Sequence, residues 1–110
     1  MFTKRSKEGY LSRIPGIDQK TLVHGDKTLL AEFQMTKGAV LPKHSHPYEQ
    51  TGYLISGHIV LAAGTDVYDC RPGDSWCIPM NVEHSADIME DSVVVENFSP
   101  VREDYLPAGK

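Results

Sequence analysis

Hydrophobic residues along this chain fall into short runs separated by turn-forming residues. The runs predict strands over 28–36, 51–55, 58–63, 66–70, 74–78 and 92–98. Turn signals between and around them recur about every eight to twelve residues, at Pro15-Gly16, Gly25-Asp26, Lys37-Gly38, Ser56-Gly57, Gly64-Thr65, Pro72-Gly73 and Glu90-Asp91. No run has a convincing helical period, and no segment repeats at a fixed interval. The spacing therefore favours an all-β sandwich or barrel.

Alternation within the predicted strands indicates which side chains face the interior. Extended from position 50, it places Gln50, Gly52 and Leu54 on one face and Thr51, Tyr53 and Ile55 on the other. The run Val93-Val94-Val95 is different, because consecutive β-branched residues are typical of a strand covered on both faces. A single small barrel has little with which to cover both faces, so this run predicts a homodimer.

Length and composition describe one ordinary globular domain, spanning residues 1–110. Hydrophobic residues make up 40% and charged residues 24% of the chain. The net charge of −4 argues against nucleic acid as a partner, since phosphate binding needs a positive face. No apolar stretch approaches the roughly 20 residues that span a bilayer, and the N-terminus lacks the apolar run of a secretory signal. These features predict a cytoplasmic protein with no membrane partner, and a loose tail at 107–110.

The two cysteines, Cys70 and Cys77, need not form a disulfide. A cytosolic chain would keep them reduced even on neighbouring strands. We interpret both as small buried hydrophobic residues.

Three histidines stand in a pattern typical of metal ligands. His44 and His46 would share one face of a strand, and the distant His84 could complete one side of a coordination sphere. A histidine pair at this spacing is a weak signal when taken alone. The fourth ligand is ambiguous, because alternation favours Gln50 whereas a break in the strand at Pro47 would leave Glu49 within reach.

The residues around these histidines resemble both signature motifs of the cupin superfamily. The first motif covers about 38–57, with Gln50 at the position where the family usually has Glu. The second covers about 73–88, with Asn81 in place of its last Gly and Ile88 in place of its Asn. The resemblance implies a jelly-roll barrel, also called a double-stranded β-helix. It also implies a divalent metal ion (zinc, nickel, iron, manganese or copper) held by His44, His46, Gln50 and His84.

The segment at 96–105 is the second informative stretch. Alternation directs Glu96 to the same face as Phe98, where a partly apolar cavity would raise the pKa of its carboxyl group. Arg102 follows a proline, and its guanidinium suits a substrate carboxylate. From spacing alone, an ordinary surface ion pair between Glu96 and Arg102 is the favoured alternative.

Segments 44–50, 71–79 and 98–106 more specifically resemble the KdgF-type cupins of uronate catabolism, which open the ring of 4,5-unsaturated monouronates. The resemblance implies a metal-dependent lyase or isomerase acting on a small anionic sugar. Phe98 and Arg102 match residues of that family's site, and Glu96 stands where the family has Asp, one methylene shorter. Two other functions fit the same ligands: a metal-dependent dioxygenase, and a sensor that binds a small acid without catalysis.

Overall fold

The computed structural model describes residues 1–106, which form eight antiparallel strands and one short 3₁₀ helix. The strands are β1 (Leu11–Ile14), β2 (Ile17–His24), β3 (Leu29–Met35), β4 (Val40–His44), β5 (Glu49–Ala63), β6 (Asp66–Cys70), β7 (Ser75–Ile78) and β8 (His84–Ser99). The 3₁₀ helix covers Glu103–Tyr105. Residues 1–106 contain no α-helix, so the all-β class is confirmed. The prediction made for 107–110 lies outside the described residues.

Two long strands, β5 and β8, hold the barrel together because each belongs to two sheets. They pair with each other along almost their whole length. The end of β8 pairs with β3 and the start of β5 with β7, which builds a sheet that continues through β2 to β1. The start of β8 pairs with β4 and the end of β5 with β6, which builds the second sheet. Two sheets joined by shared strands form the jelly roll that the sequence predicts.

The turns predicted at 56–57 and 90–91 are wrong, because both strands continue through these positions. The register of β5 against β8 shifts around Ser56 and His58, which marks a bulge. Gly57 adopts a φ of 99° there, and a Cβ added to it would lie 2.1 Å from Ser92 Oγ. Glycine is therefore needed where β5 passes from one sheet to the other.

The inner face of the barrel follows the predicted alternation. Gln50, Gly52 and Leu54 are buried, whereas Thr51, Tyr53 and Ile55 are exposed. Val94 is 1% exposed, while its neighbours Val93 and Val95 are half-buried on the outer face. The homodimer stays a prediction.

Both cysteines are free, and they differ in exposure. Cys70 is buried, as predicted. Cys77 is exposed, so its interpretation as a core residue is wrong. It lies on β7 beside Thr51 of β5, on the outward face of the pleat.

The segment that follows β8 folds over one end of the barrel. Tyr105 packs edge-on against Phe98, with ring centroids 5.4 Å apart. Its carbonyl oxygen accepts a hydrogen bond from the Thr21 hydroxyl at 2.5 Å, and the Asp104 carbonyl accepts one from Arg13 Nη2 at 3.2 Å. Side chains of β1 and β2 thus hold the C-terminal segment in place.

Across residues 1–106 there is no helix with the length and apolar character that crossing a membrane would require.

Candidate active site

Strand pairing and one anchored loop bring the three histidines together. His44 and His84 are register partners on β4 and β8. His46 lies beyond the end of β4, so the prediction that strand alternation aligns it with His44 is wrong. The loop is held instead by the Asn81 backbone N–H, which donates to the His46 carbonyl at 2.8 Å. Asn81 has a φ of 62°, a left-handed conformation that Gly and Asn tolerate best, which explains Asn at the usual Gly position.

The histidine rings form a compact cluster with their ligand nitrogens within 4.8 Å of one another. His44 Nδ1 contacts the Pro42 carbonyl at 2.8 Å, and His84 Nδ1 contacts the Val82 carbonyl at 2.9 Å. A carbonyl oxygen only accepts, so each Nδ1 carries the hydrogen and each Nε2 keeps its lone pair. A backbone carbonyl that fixes the tautomer in this way is the usual support of a metal-ligating histidine.

Gln50 adds an oxygen donor beside this cluster. Its side chain is buried, and its Nε2 donates to Glu96 Oε2 at 2.5 Å. Its Oε1 is buried without a hydrogen-bond partner among residues 1–106, as are both ring nitrogens of His46. Buried polar atoms without partners are costly, and a bound cation would satisfy Gln50 Oε1 and one of the two ring nitrogens of His46. Glu49 is exposed, so the geometry favours Gln50 as the oxygen donor.

This donor set fits a divalent first-row metal ion. Metal–nitrogen bonds of about 2.0–2.1 Å place ligand nitrogens within about 4 Å of each other, close to the spacing in the cluster. Imidazole must be neutral to bind a metal. Burial lowers the pKa of His84 to about 4, and burial followed by the charge of Arg102 lowers that of His46. Both rings are therefore neutral and available as ligands at neutral pH.

Glu96 faces the cavity from β8, but it does not pair with Arg102. Its Oε2 accepts from Gln50 Nε2 and, at 3.2 Å, from Trp76 Nε1. The surface ion pair favoured by spacing alone is therefore wrong. Burial raises the pKa of the Glu96 carboxyl to about 7, against the opposing effect of these two donors. A carboxyl group with such a pKa can take up and release a proton near neutrality.

Arg102 lies at the mouth of the cavity, where other groups fix its orientation. Its Nε and Nη2 donate to the two oxygens of Asp104 at 3.2 and 2.7 Å. Its guanidinium carbon lies 3.9 Å from the centre of the Tyr105 ring and 5.0 Å from those of Tyr48 and Phe98. The side chain is only 14% exposed. Asp104 occupies one edge of the guanidinium, which leaves the Nη1–Nη2 edge for another carboxylate.

The cavity is small and adjoins a larger cleft. A volume of about 70 Å³ is lined by all seven predicted site residues: His44, His46, Gln50, His84, Glu96, Phe98 and Arg102. The adjoining cleft, of about 300 Å³, shares His44, Arg102 and Tyr105 with it. Two larger surface grooves, of about 730 and 690 Å³, contain none of the seven. Because polar groups converge on the smaller cavity, it is the candidate functional site.

Comparison with known proteins places this architecture in a family. Residues 31–96 match the family model described as "Cupin domain". The chain belongs to the cupin family. A KdgF structure from Halomonas sp. is 29% identical and superimposes with a TM-score of 0.90, covering 96% of this cupin and 100% of that chain.

A second relative has a similar level of identity. The "Pectin degradation protein KdgF" of Dickeya dadantii is 27% identical over 93 residues, 83% of this cupin and 84% of that protein. An RmlC-like cupin from Shewanella frigidimarina, at 23% identity and a TM-score of 0.90, covers 96% of this chain and 95% of its own, and shows the shared fold. The KdgF-type resemblance predicted from the sequence is thus confirmed.

Three site residues of this cupin escaped the sequence analysis. Trp76 lies on the inner face of β7, and Tyr48 and Tyr105 stack on Arg102. Trp76 could have been found, because alternation places it on the same face as the buried Ile78. No local signal identifies the tyrosines, since the barrel brings together residues that are far apart in sequence.

Proposed function

We propose that this cupin opens the ring of 4,5-unsaturated monouronates to give linear keto-uronates, with a divalent cation as cofactor. One observation carries the proposal: Glu96 and Arg102 line the same cavity as the three-histidine cluster. The KdgF relatives support the substrate class, because one of them is described as a pectin degradation protein and pectin is a polymer of uronic acids. An anionic sugar also suits a site lined by the guanidinium of Arg102, whose Nη1–Nη2 edge is not occupied by Asp104.

The cation would be held by His44, His46, His84 and Gln50, all uncharged donors. When bound, it supplies a Lewis acid that stabilises negative charge developing on a substrate oxygen. Because no ligand is anionic, the cation would keep its full formal charge, which suits an acidic substrate.

Substrate binding depends on Arg102 and Phe98. The guanidinium edge left by Asp104 is the donor pair available to the uronate carboxylate. Phe98 is 2% exposed and stands edge-on to His46 with ring centroids 6.0 Å apart. It therefore forms an apolar wall that keeps water away from the reacting bond. The sugar would extend from the cavity that Glu96 and Phe98 line into the adjoining cleft of about 300 Å³, a volume at the lower end of those found for small-molecule sites.

Glu96 carries the proton transfers. As a carboxylate it takes the proton of the anomeric hydroxyl; the carbonyl at C1 forms, the C1–O5 bond breaks, and its electron pair leaves with O5. The resulting enolate takes the proton back from Glu96 at C4, which gives the ketone at C5. Substrate and product are isomers, so no other reactant is consumed. The pKa of about 7 lets one carboxyl group act first as base and then as acid.

The direct test is turnover of the unsaturated monouronate. Metal-stripped protein is reloaded separately with zinc, nickel, iron, manganese or copper, and the loss of the enol-ether signal and the gain of the linear product are followed by NMR. We expect at least one cation to accelerate ring opening. Rates equal to the protein-free control with every cation would overturn the proposal. Oxygen uptake would identify a dioxygenase, and a ligand that stabilises the fold but is recovered unchanged would identify a sensor.

Two variants assign the roles. Glu96→Gln keeps the shape of the side chain and removes the proton acceptor, so we expect kcat to fall by roughly 100-fold or more. Arg102→Ala is expected to raise KM at least about tenfold, the effect of losing a charge-assisted hydrogen bond. Arg71→Ala is the matched control, because Arg71 is an exposed arginine paired with Asp69 outside the cavity. Equal kinetics for the Arg71 and Arg102 variants would remove Arg102 from the site.

A further inference from the structure

Three residues form a row across the inner face of the sheet beside the proposed catalytic carboxyl. Gly52 of β5 is the register partner of Trp76 on β7 and also of Glu96 on β8. Trp76 and Glu96 are thus two strands apart, a separation of about 9–10 Å between backbones. The indole Nε1 nevertheless reaches Glu96 Oε2 at 3.2 Å.

Gly52 makes this reach possible. A Cβ added at position 52 would lie 2.2 Å from Trp76 Nε1, 2.3 Å from Cε2 and 2.5 Å from Cζ2. The indole ring therefore lies directly over the glycine, in the space that any other side chain would fill. Gly52 does not have a positive φ, so this close approach is what requires glycine here.

The two donors on Glu96 converge on one oxygen. Gln50 Nε2 and Trp76 Nε1 both donate to Oε2, and within residues 1–106 the carboxylate accepts no other hydrogen bond. Two donors at one oxygen fix the rotation of the carboxyl group and leave Oε1 for the substrate. With Gln50 as the only donor, the carboxylate could rotate toward the positive charge of Arg102, which acts on it electrostatically.

We propose that Trp76 is a positioning residue, whose indole N–H across Gly52 fixes the Glu96 carboxyl group for proton transfer to and from the sugar. The inference rests on the proposed function. A tryptophan needed only for packing would fill the same volume without donating its N–H to the proposed catalytic carboxyl group. The N–H, rather than the ring, is therefore the group to test.

Trp76 is the only tryptophan in the chain, so biosynthetic replacement of tryptophan changes this site alone. β-(3-Benzothienyl)alanine keeps the size and shape of the ring and exchanges the N–H for sulfur. We expect the metal-loaded isostere protein to keep its metal content and a KM within about threefold. Its kcat should fall roughly 10- to 100-fold, the effect of losing one hydrogen bond to a charged group. A kcat within twofold of wild type would overturn the proposal.

Gly52→Ala is a second perturbation, which moves the indole and keeps it in the protein. We expect the same fall in kcat as for the isostere. Gly25→Ala is the matched control, because a Cβ at Gly25 meets no atom within 4 Å and Gly25 lies outside the site. Equal kcat for the two alanine variants would contradict the role given to Gly52.

One measurement is independent of activity. The single indole gives one N–H signal in a ¹H–¹⁵N correlation spectrum, and we expect Glu96→Gln and Gly52→Ala to move it while Gly25→Ala leaves it in place. Unmoved signals in both site variants would overturn the contact. If the wild type fails to open the uronate and the signal still moves, the placement of Trp76 on Glu96 is supported and only the reaction is wrong.

Discussion

Replacing Glu96 by Gln should stabilise the metal-free protein at high pH. The folded protein holds this carboxyl with a pKa raised from 4.5 to about 7, chiefly by burial. Because the folded pKa lies above the unfolded one, the unfolded chain loses this proton first as the pH rises. The stability associated with the protonated form is complete below pH 4.5 and is lost as the pH rises through about 7.

The magnitude follows from the two pKa values. At about 1.4 kcal/mol for each pKa unit, raising the pKa from 4.5 to about 7 corresponds to about 3 kcal/mol. Gln cannot ionise, and its side-chain oxygen can accept the same hydrogen bonds from Gln50 and Trp76. We therefore expect the free energy of unfolding of the variant, relative to wild type, to increase by about 3 kcal/mol between pH 4.5 and pH 8.

Urea unfolding across this pH range, with a chelator present, measures the difference directly. The titration of His84 changes the free energy of unfolding in the opposite direction. Because the pKa of His84 is lowered from 6.5 to about 4, the folded protein becomes less stable as the pH falls below 6.5. That effect is common to both proteins and cancels in the comparison. Glu90→Gln, at an exposed glutamate, controls for loss of a carboxyl group in general. A Glu96 difference that does not vary with pH would refute the assigned burial of this group.

Three further predictions concern the metal ligands and the bulge. His84→Ala should reduce bound metal, by elemental analysis, from about one ion per chain to near zero; equal contents in variant and wild type would make the ligand assignment wrong. Gln50→Glu should retain metal but lose most turnover, because its carboxylate would face that of Glu96 and one of the two would have to stay protonated; unchanged kcat would contradict this. Gly57→Ala should lower the free energy of unfolding by about 3 kcal/mol, and Gly38→Ala by about 1 kcal/mol. Both glycines have a positive φ, but only Gly57 lacks space for a Cβ. Equal losses in urea unfolding would show that the clash of the added Cβ with Ser92 contributes nothing.

The alternation of β5 was predictable, because a strand has a fixed period of two and the position of Gln50 in the cupin motif indicates which face points inward. Strand β2 was not, since its inward positions include polar residues. Gln19 is 1% exposed, and its side-chain amide forms hydrogen bonds with Arg13 and Thr21. From the sequence alone, a glutamine is expected at the surface. A polar side chain that is buried with its hydrogen bonds formed cannot be recognised from the hydrophobic pattern of the sequence.

The turn predicted at Ser56-Gly57 failed for a related reason. Glycine with positive φ serves a hairpin turn and a bulge equally well, and only the partner strand distinguishes them. Motif spacing, alternation and the family resemblance identified the residues that line this cavity, whereas their hydrogen-bond partners were not predicted. Glu96 binds Trp76 rather than Arg102, and Arg102 binds Asp104, because the barrel sets neighbours that sequence distance does not reveal.

Because β1 and β2 hold segment 102–105 in place, the mouth of the cavity depends on residues from two segments that are far apart in the sequence. Arg102 owes its place to Asp104 and Tyr105, and the backbone of these two residues is held by Arg13 and Thr21. Deleting the first fourteen residues would therefore act as a mutation of the substrate pocket, although that segment supplies none of the proposed catalytic or metal-binding groups.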